Sequence, residues 1–373
     1  MDLIGKRTPD YWLFFAVIAL LAIGVVMVYS ASAIVAFDQY QDSAFFFKRQ
    51  LLWTGLGLAG LLVTQRVHYA RLRALTPLLL AASLLALVMV LVPGIGRVVG
   101  GARRWIALGG PVAVQPVEAA KLALVLYLAN FLTNRGAGVG DLRSGLLPPL
   151  LIMGTMFGLV LLQPELGSAL LLAFVTVAML FVGGARLRHL VGLALVSAPL
   201  VLVTILSEAY RRRRILAFLD PWRDPQGVGF HIIQSLVALG SGGLFGVGLG
   251  QSRQKFFYLP ERHTDFIFAI LGEELGLIGA LVVLALFALI AYRGWQITRT
   301  APDRYSSLLA CGVTVMIVVQ AIMNIGVTTG VLPVTGVPLP LLSFGGSSLV
   351  FTMCGVGILL NISQYCKSPD ALA

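Results

Sequence analysis

Ten stretches of the chain stay apolar for roughly the 20 residues that a helix needs to cross a lipid bilayer. They cover about 11–31, 46–64, 73–93, 114–133, 146–163, 167–184, 189–207, 264–292, 305–328 and 343–362. Short loops join most of them; the exception is about 208–263, between the seventh and the eighth. The pattern predicts an all-α polytopic integral membrane protein of about ten transmembrane helices. One transmembrane domain over 1–373 is expected, with a large extracytoplasmic loop between helices 7 and 8. An even number of crossings puts both termini on one side. The first stretch starts and ends like a secretory signal peptide, but its apolar run exceeds the roughly 7–15 residues of such a segment. It therefore reads as a retained first helix.

Inside the long loop, "HIIQSLVALGSGGLFGVG" is apolar but interrupted by Gly240, Gly242, Gly243, Gly246 and Gly248. Irregular backbone at membrane depth must be covered by protein, so this piece reads as interfacial or re-entrant rather than spanning.

Composition agrees with the pattern. Hydrophobic residues make up 58% of the 373 and charged residues 12%, against about 25% charged in soluble domains. A soluble globular fold is excluded, and the net charge of +11 reflects loop arginines rather than a nucleic-acid surface. Orientation follows from where they lie. With a cytoplasmic N-terminus, 13 of the 27 basic residues fall inside, among them Lys6, Arg7, Arg66 and Lys367. Eight of the rest lie in the long loop, and long loops translocate largely regardless of charge. Cytoplasmic termini are therefore favoured. Cys311, Cys354 and Cys366 lie in or beside apolar segments without metal-ligand spacing, and read as small buried hydrophobes.

The candidate chemistry is on the outer side. The long loop holds Arg211, Arg212, Arg213, Arg214, Arg223, Arg253, Lys255 and Arg262, and the 94–115 loop adds Arg97, Arg103 and Arg104 beside Trp105. Arginine forks match phosphate oxygens, but Arg and Trp also anchor loops to lipid headgroups; both readings stand. Glu118 and Lys121 share a helix face in "QPVEAAK", as a site pair or a structural ion pair. The "ERHTDF" stretch supplies Glu261, His263 and Asp265. Thr264 is the expected N-cap of the eighth helix. That would place Asp265 in its first turn, where the dipole favours the carboxylate while burial opposes it, as suits a general base. Glu273 and Glu274 lie deeper, with broken backbone as their expected partners. The Pro- and Gly-rich stretch "GVLPVTGVPLPLLSFGG" reads as a structural cap or a ligand contact. One base plus a cationic rim suits transfer from a lipid-linked sugar diphosphate, whose leaving group needs no separate acid, unlike an ordinary glycoside.

"VMVYSAS", "FFFKRQ", "GARRWI", "QPVEAAK", "LLQPELGSALL", "YRRRRILAFLDPWRDPQGVGFHIIQS", "YLPERHTDFIFAILGEELG" and "GVPLPLLSFGGSS" closely resemble the SEDS family (shape, elongation, division and sporulation: FtsW, SpoVE and RodA). The resemblance covers essentially the whole chain and is nearer the FtsW and SpoVE branch, with RodA as the close alternative. It implies a ten-helix peptidoglycan glycosyltransferase in the bacterial cytoplasmic membrane, with an extracytoplasmic active site. It implies lipid II (undecaprenyl-diphosphate-linked disaccharide pentapeptide) as substrate and a class B penicillin-binding transpeptidase as partner. Asp265 takes the family's essential aspartate position, and Glu118 and Lys121 its functional pair; Val117 stands where the family usually has Ser. The expected substrate-binding set is Arg104, Glu118, Lys121, Arg212, Arg214, Lys255 and His263. No protein metal site is expected, though a divalent cation (Mg or Mn) could accompany the diphosphate. The alternatives are a lipid II flippase, or a scaffold for the transpeptidase.

Overall fold

The computed structural model describes residues 7–99, 101–109, 112–227, 229–255 and 262–366. Glu261, Lys6 and Lys367 lie outside them.

Twelve α-helices and one small sheet are present among the described residues. Helices α1 (Tyr11–Tyr40), α2 (Phe45–Arg66) and α3 (Tyr69–Met89) lead into strands β1 (Gly96–Val99), β2 (Ala102–Gly109) and β3 (Val112–Val114). Then come α4 (Pro116–Arg135), α5 (Leu147–Leu161), α6 (Leu166–Val182), α7 (Leu187–Ser207), α8 (Ala209–Leu219) and α9 (Phe230–Ser241). The chain finishes with α10 (Ile267–Thr300), α11 (Arg304–Thr328) and α12 (Gly346–Ser363). Among the described residues, eight helices are long and apolar enough to span a membrane: α1, α3, α4, α5, α7, α10, α11 and α12. Helices α2 and α6 correspond to the other two apolar stretches. The protein is a multi-pass, all-α membrane protein.

Burial sorts these helices. The apolar windows of α4, α11 and α12 are 67%, 72% and 78% buried, whereas that of α7 is 6% buried. The first three form the centre, and α7 lies at the edge. Small residues bring α2 and α12 together, as is usual between membrane helices. Gly57 lies against Met353, Gly60 against Cys354, and a Cβ on Gly357 would collide with the Leu61 carbonyl.

Both ends of the described chain meet at one end of the bundle. The Arg7 amide donates to the Gln364 carbonyl, and the Asp10 amide donates to Ser363 Oγ. Asp10 caps α1 by accepting from the Leu13 amide at 2.9 Å, and the Arg293 guanidinium grips the same carboxylate. Arg73 donates to Asn130 and Asn134, and Tyr69 to Asp303, which itself closes a capping box at the head of α11.

The opposite end departs from the sequence expectation in three places. The 94–115 loop is an antiparallel sheet of order β1-β2-β3. The long loop contains two helices; on α8 and just beyond it, Leu216, Leu219 and Trp222 are exposed. The eighth span begins at Ile267, with Phe266 as its N-cap residue and no side-chain cap. Thr264 and Asp265 thus precede the helix, because their carbonyls are drawn to partners on other elements, described below.

The glycine-rich piece after α9 does double back into the protein. Gly276, at φ 66° and ψ −167°, breaks α10, a left-handed region that a side chain resists. The 243–248 turn fills the break. Leu277 and Ile278 donate to the Gly243 and Leu244 carbonyls, while Val247 and Gly248 donate to the Glu273 and Glu274 carbonyls. Four backbone groups flanking the break thus find partners in the inserted turn, as membrane burial requires.

Candidate functional site

Asp265 lies where the 263–266 segment crosses the loop between α11 and α12. Three successive carbonyls of that segment are clamped. That of His263 accepts from the Phe344 amide at 2.9 Å, and that of Thr264 from Ser343 Oγ at 2.6 Å. That of Asp265 accepts from Asn324 Nδ2 at 2.8 Å. The Ser343 hydroxyl also accepts from the Leu339 amide, so it fixes the loop and the aspartate segment together. Gly336 faces the carboxylate: a Cβ there would stand 3.6 Å from Asp265 Oδ2. Its φ of 75° also disfavours any side chain. The His263 ring packs between Phe46 and Phe344, with centroids 4.7 and 5.7 Å away.

The same loop is held from beneath. Glu118 and Lys121, each 3% exposed, form an ion pair at 2.8 Å. Lys121 also donates to Gln320 Oε1 at 2.8 Å, and Gln320 Nε2 donates to the Pro338 carbonyl at 3.0 Å. One turn further along α11, Asn324 Nδ2 reaches the Val337 carbonyl at 2.8 Å. From the side, Arg214 of α8 donates to the Val334 carbonyl at 3.1 Å. The stretch that sequence left as cap or ligand contact thus joins α8, α11 and the 263–265 segment ahead of α10.

A second node sits at the turn between α5 and α6. Gln115 Nε2 donates to Glu165 at 2.8 Å, Ser168 donates to the same carboxylate, and the Gln115 amide donates to Ser347. Arg104 of β2 donates to the Gln163 and Pro164 carbonyls at 2.9 and 2.8 Å, so it ties the sheet to this turn.

Glu273 and Glu274 take the role expected of them. Glu273 accepts from the Arg253 and Gln254 amides and from the Ser252 hydroxyl. Glu274 accepts from Ser30 and the Ser252 amide, and pairs with Lys255 at 3.3 Å. Lys255 is 6% exposed and also donates to the Gly250 carbonyl. Its ammonium therefore belongs to the α10 break.

The cationic rim divides accordingly. Arg104, Arg214 and Lys255 hold backbone or carboxylate, whereas Arg212 and Arg213 are exposed. Burial lowers the pKa of the Arg262 guanidinium from its ordinary value. Beside α8, Arg213, Leu216, Ala217, Asp220, Arg223 and Asp224 line a cavity of about 280 Å³. Among the described residues no three His, Cys, Asp or Glu side chains converge as metal ligands. The site can thus offer a rigidly placed carboxylate, exposed guanidinium groups and a buried ion pair behind them. Sequence reading passed over Gln320 and Asn324. Their signal was two carboxamides four apart in an otherwise apolar helix, which put both on one face.

Comparison with known proteins gives this geometry a context. The family model described as "Cell cycle protein", covering FtsW, RodA and SpoVE, matches residues 11–368. Stage V sporulation protein E of Bacillus subtilis is 47% identical over 362 residues, covering 97% of this chain and 99% of that one. The probable peptidoglycan glycosyltransferase FtsW of Trichlorobacter lovleyi is 46% identical, over 96% and 94% of the two chains. Among solved structures, a chain from "Structural coordination of polymerization and crosslinking by a peptidoglycan synthase complex" superposes with TM-score 0.79 at 37% identity, covering 95% and 97%. The rod shape determining protein RodA of Thermus thermophilus superposes with TM-score 0.71 at 33% identity, covering 96% and 98%.

Proposed function

The chain belongs to the FtsW, RodA and SpoVE family, and we propose that it is a peptidoglycan glycosyltransferase that polymerises lipid II, with Asp265 as its general base. The observation that carries the assignment is the triple clamp. Residues 263–265 are fixed through their carbonyls, so the Asp265 carboxylate is presented from a rigid seat opposite a glycine, where its side chain has room. Positioned carboxylates of this kind take a proton in the transition state.

In the proposed reaction the acceptor sugar's hydroxyl oxygen bonds to the donor's anomeric carbon. The bond from that carbon to the diphosphate oxygen breaks, and the diphosphate leaves with the electron pair. The hydroxyl proton passes to Asp265. Arg212, aided by Arg213, neutralises the diphosphate, and the apolar Leu216, Leu219 and Trp222 meet the lipid chain near the membrane surface. Glu118 and Lys121 act from behind the loop through Gln320. A divalent cation, where one takes part, would travel with the diphosphate.

The charge distribution supports cytoplasmic termini and a site on the outer face. The kinship with SpoVE and FtsW at 46–47% identity supports the division and sporulation branch. The likeness to a chain of a synthase complex that polymerises and crosslinks supports a class B penicillin-binding transpeptidase as partner. The test is glycan polymerisation from lipid II by the purified chain, with a transpeptidase partner whose own chemistry is blocked. Polymer from the parent and none from a well-folded Asp265→Asn is expected. Transfer of lipid II across liposome bilayers without polymer would replace the enzyme with a flippase; neither activity would favour the scaffold.

A further inference from the structure

We propose that Asn324 is a positioning residue for this reaction: its carboxamide sets the distance between the Asp265 segment and the loop that faces it. The inference rests on the reading of Asp265 as the base.

A carboxamide nitrogen carries two hydrogens, about 120° apart in one plane. Asn324 Nδ2 has two carbonyl oxygens at 2.8 Å, those of Asp265 and Val337. Each hydrogen serves one of them. The nitrogen faces the two carbonyls, since an amide oxygen turned toward two carbonyl oxygens would repel both. One planar group therefore bridges two segments 72 residues apart in sequence, and it does so at the backbone of the aspartate itself. Val337 directly follows Gly336, the residue opposite the carboxylate. The aspartate segment and the loop opposite it are thus tied to one side chain.

That side chain has little freedom. Asn324 is 1% exposed, and its Oδ1 is buried with no hydrogen-bond partner among the described residues. Gln320, four residues earlier on the same face of α11, holds the next carbonyl of the loop, that of Pro338, and is itself oriented by Lys121. The loop cannot slide past Asn324 without breaking the Gln320 contact as well. Buried polar groups are normally fully partnered. An amide with both N–H groups engaged and no partner for its oxygen among the described residues fits a geometric role better than a packing role.

The test compares the purified full chain with Asn324→Ala, Asn324→Ser and Gln320→Ala in lipid II polymerisation. Each is checked for a monodisperse profile and for retained binding of lipid II. A displacement near 1 Å at a reacting group lowers rate by about 100-fold. Asn324→Ala should therefore lose kcat on the order of 100-fold with KM nearly unchanged. Asn324→Ser, which keeps one donor, should recover part of the rate, and Gln320→Ala should lose less than Asn324→Ala. A folded Asn324→Ala with parental kcat overturns the proposal. So does an equal change in kcat and KM with no recovery in the serine variant, which is what general loosening of the fold would give. Should the alanine variant not survive purification, the serine variant is judged by the same split. Failure of the base reading would look different: Asp265→Asn itself would polymerise.

Discussion

Replacing Lys121 with methionine isolates the buried ion pair. The substitution keeps the length and apolar stem of the side chain and removes the ammonium. Glu118, 3% exposed, is then left without its counter-charge. Breaking such a pair from one side costs about 3–5 kcal/mol. Gln320 Oε1 loses its donor at the same time, adding about 1 kcal/mol. The expected loss is therefore about 4–6 kcal/mol, a large share of the ~5–15 kcal/mol that a typical fold has available. The second arm removes both charges. In Glu118→Gln with Lys121→Met no uncompensated charge remains, and replacing a whole buried pair is often neutral or stabilising. The double variant should recover at least about 2 kcal/mol over the single one, a coupling of the size expected for residues in contact. Activity should not recover in step, because methionine cannot orient Gln320 toward the Pro338 carbonyl. Reversible unfolding in mixed micelles gives the stabilities, and lipid II polymerisation gives the activity. A Lys121→Met chain within about 1 kcal/mol of the parent, or a double variant no better than the single, would refute the reasoning.

Further outcomes follow from the same structure. Gly276→Ala forces a side chain into a left-handed backbone and against the Leu244 and Gly246 backbone; strain alone costs about 1–3 kcal/mol, so folded yield should fall sharply. Gly240→Ala, with open space around its Cβ in α9, should be neutral or gain up to about 1 kcal/mol in thermal denaturation. Asp10→Ala should be less stable than Asp10→Asn by about 1 kcal/mol in the same assay, because asparagine still caps α1. Arg212→Ala should leave the melting temperature unchanged but raise KM for lipid II and flatten its salt dependence, whereas Arg104→Ala should lower the melting temperature by freeing the Gln163 and Pro164 carbonyls.

The membrane helices were legible because their signal is local: an apolar run is read within its own 20 residues. The expected role of Glu273 and Glu274 was legible for a related reason, since carboxylates two turns into an apolar helix must find donors, and a glycine-broken segment nearby could supply them. The helix start at Ile267 was not. Thr264 has the chemistry of a cap, but its carbonyl is taken by Ser343, 79 residues away, and nothing local announces that. The β1-β2-β3 sheet was missed because β1 and β3 are only four and three residues long and β2, ARRWIALG, shows no regular alternation of apolar and polar positions. The rim illustrates the same limit. Arg104, Arg212, Arg214 and Lys255 look equivalent in sequence, yet only their partners separate the exposed Arg212 from three residues that hold the fold together.

The break at Gly276 has a consequence for the surrounding lipid. Residues 277–300 of α10 extend about 36 Å at 1.5 Å per residue, of which the apolar 277–292 part takes about 24 Å, beside the roughly 30 Å of a bilayer's hydrocarbon core. A helix whose apolar stretch does not match the bilayer adjusts its tilt as the thickness changes. Here the tilt can be absorbed below the break, because Glu273 and Glu274 give their carbonyls to the 247–248 backbone and not to the helix that follows. Hydrophobic mismatch would then stop at Gly276 instead of reaching Asp265. Polymerisation rates measured in bilayers of different acyl-chain length should accordingly change little, as though the reacting end of α10 floated independently of the part that senses membrane thickness.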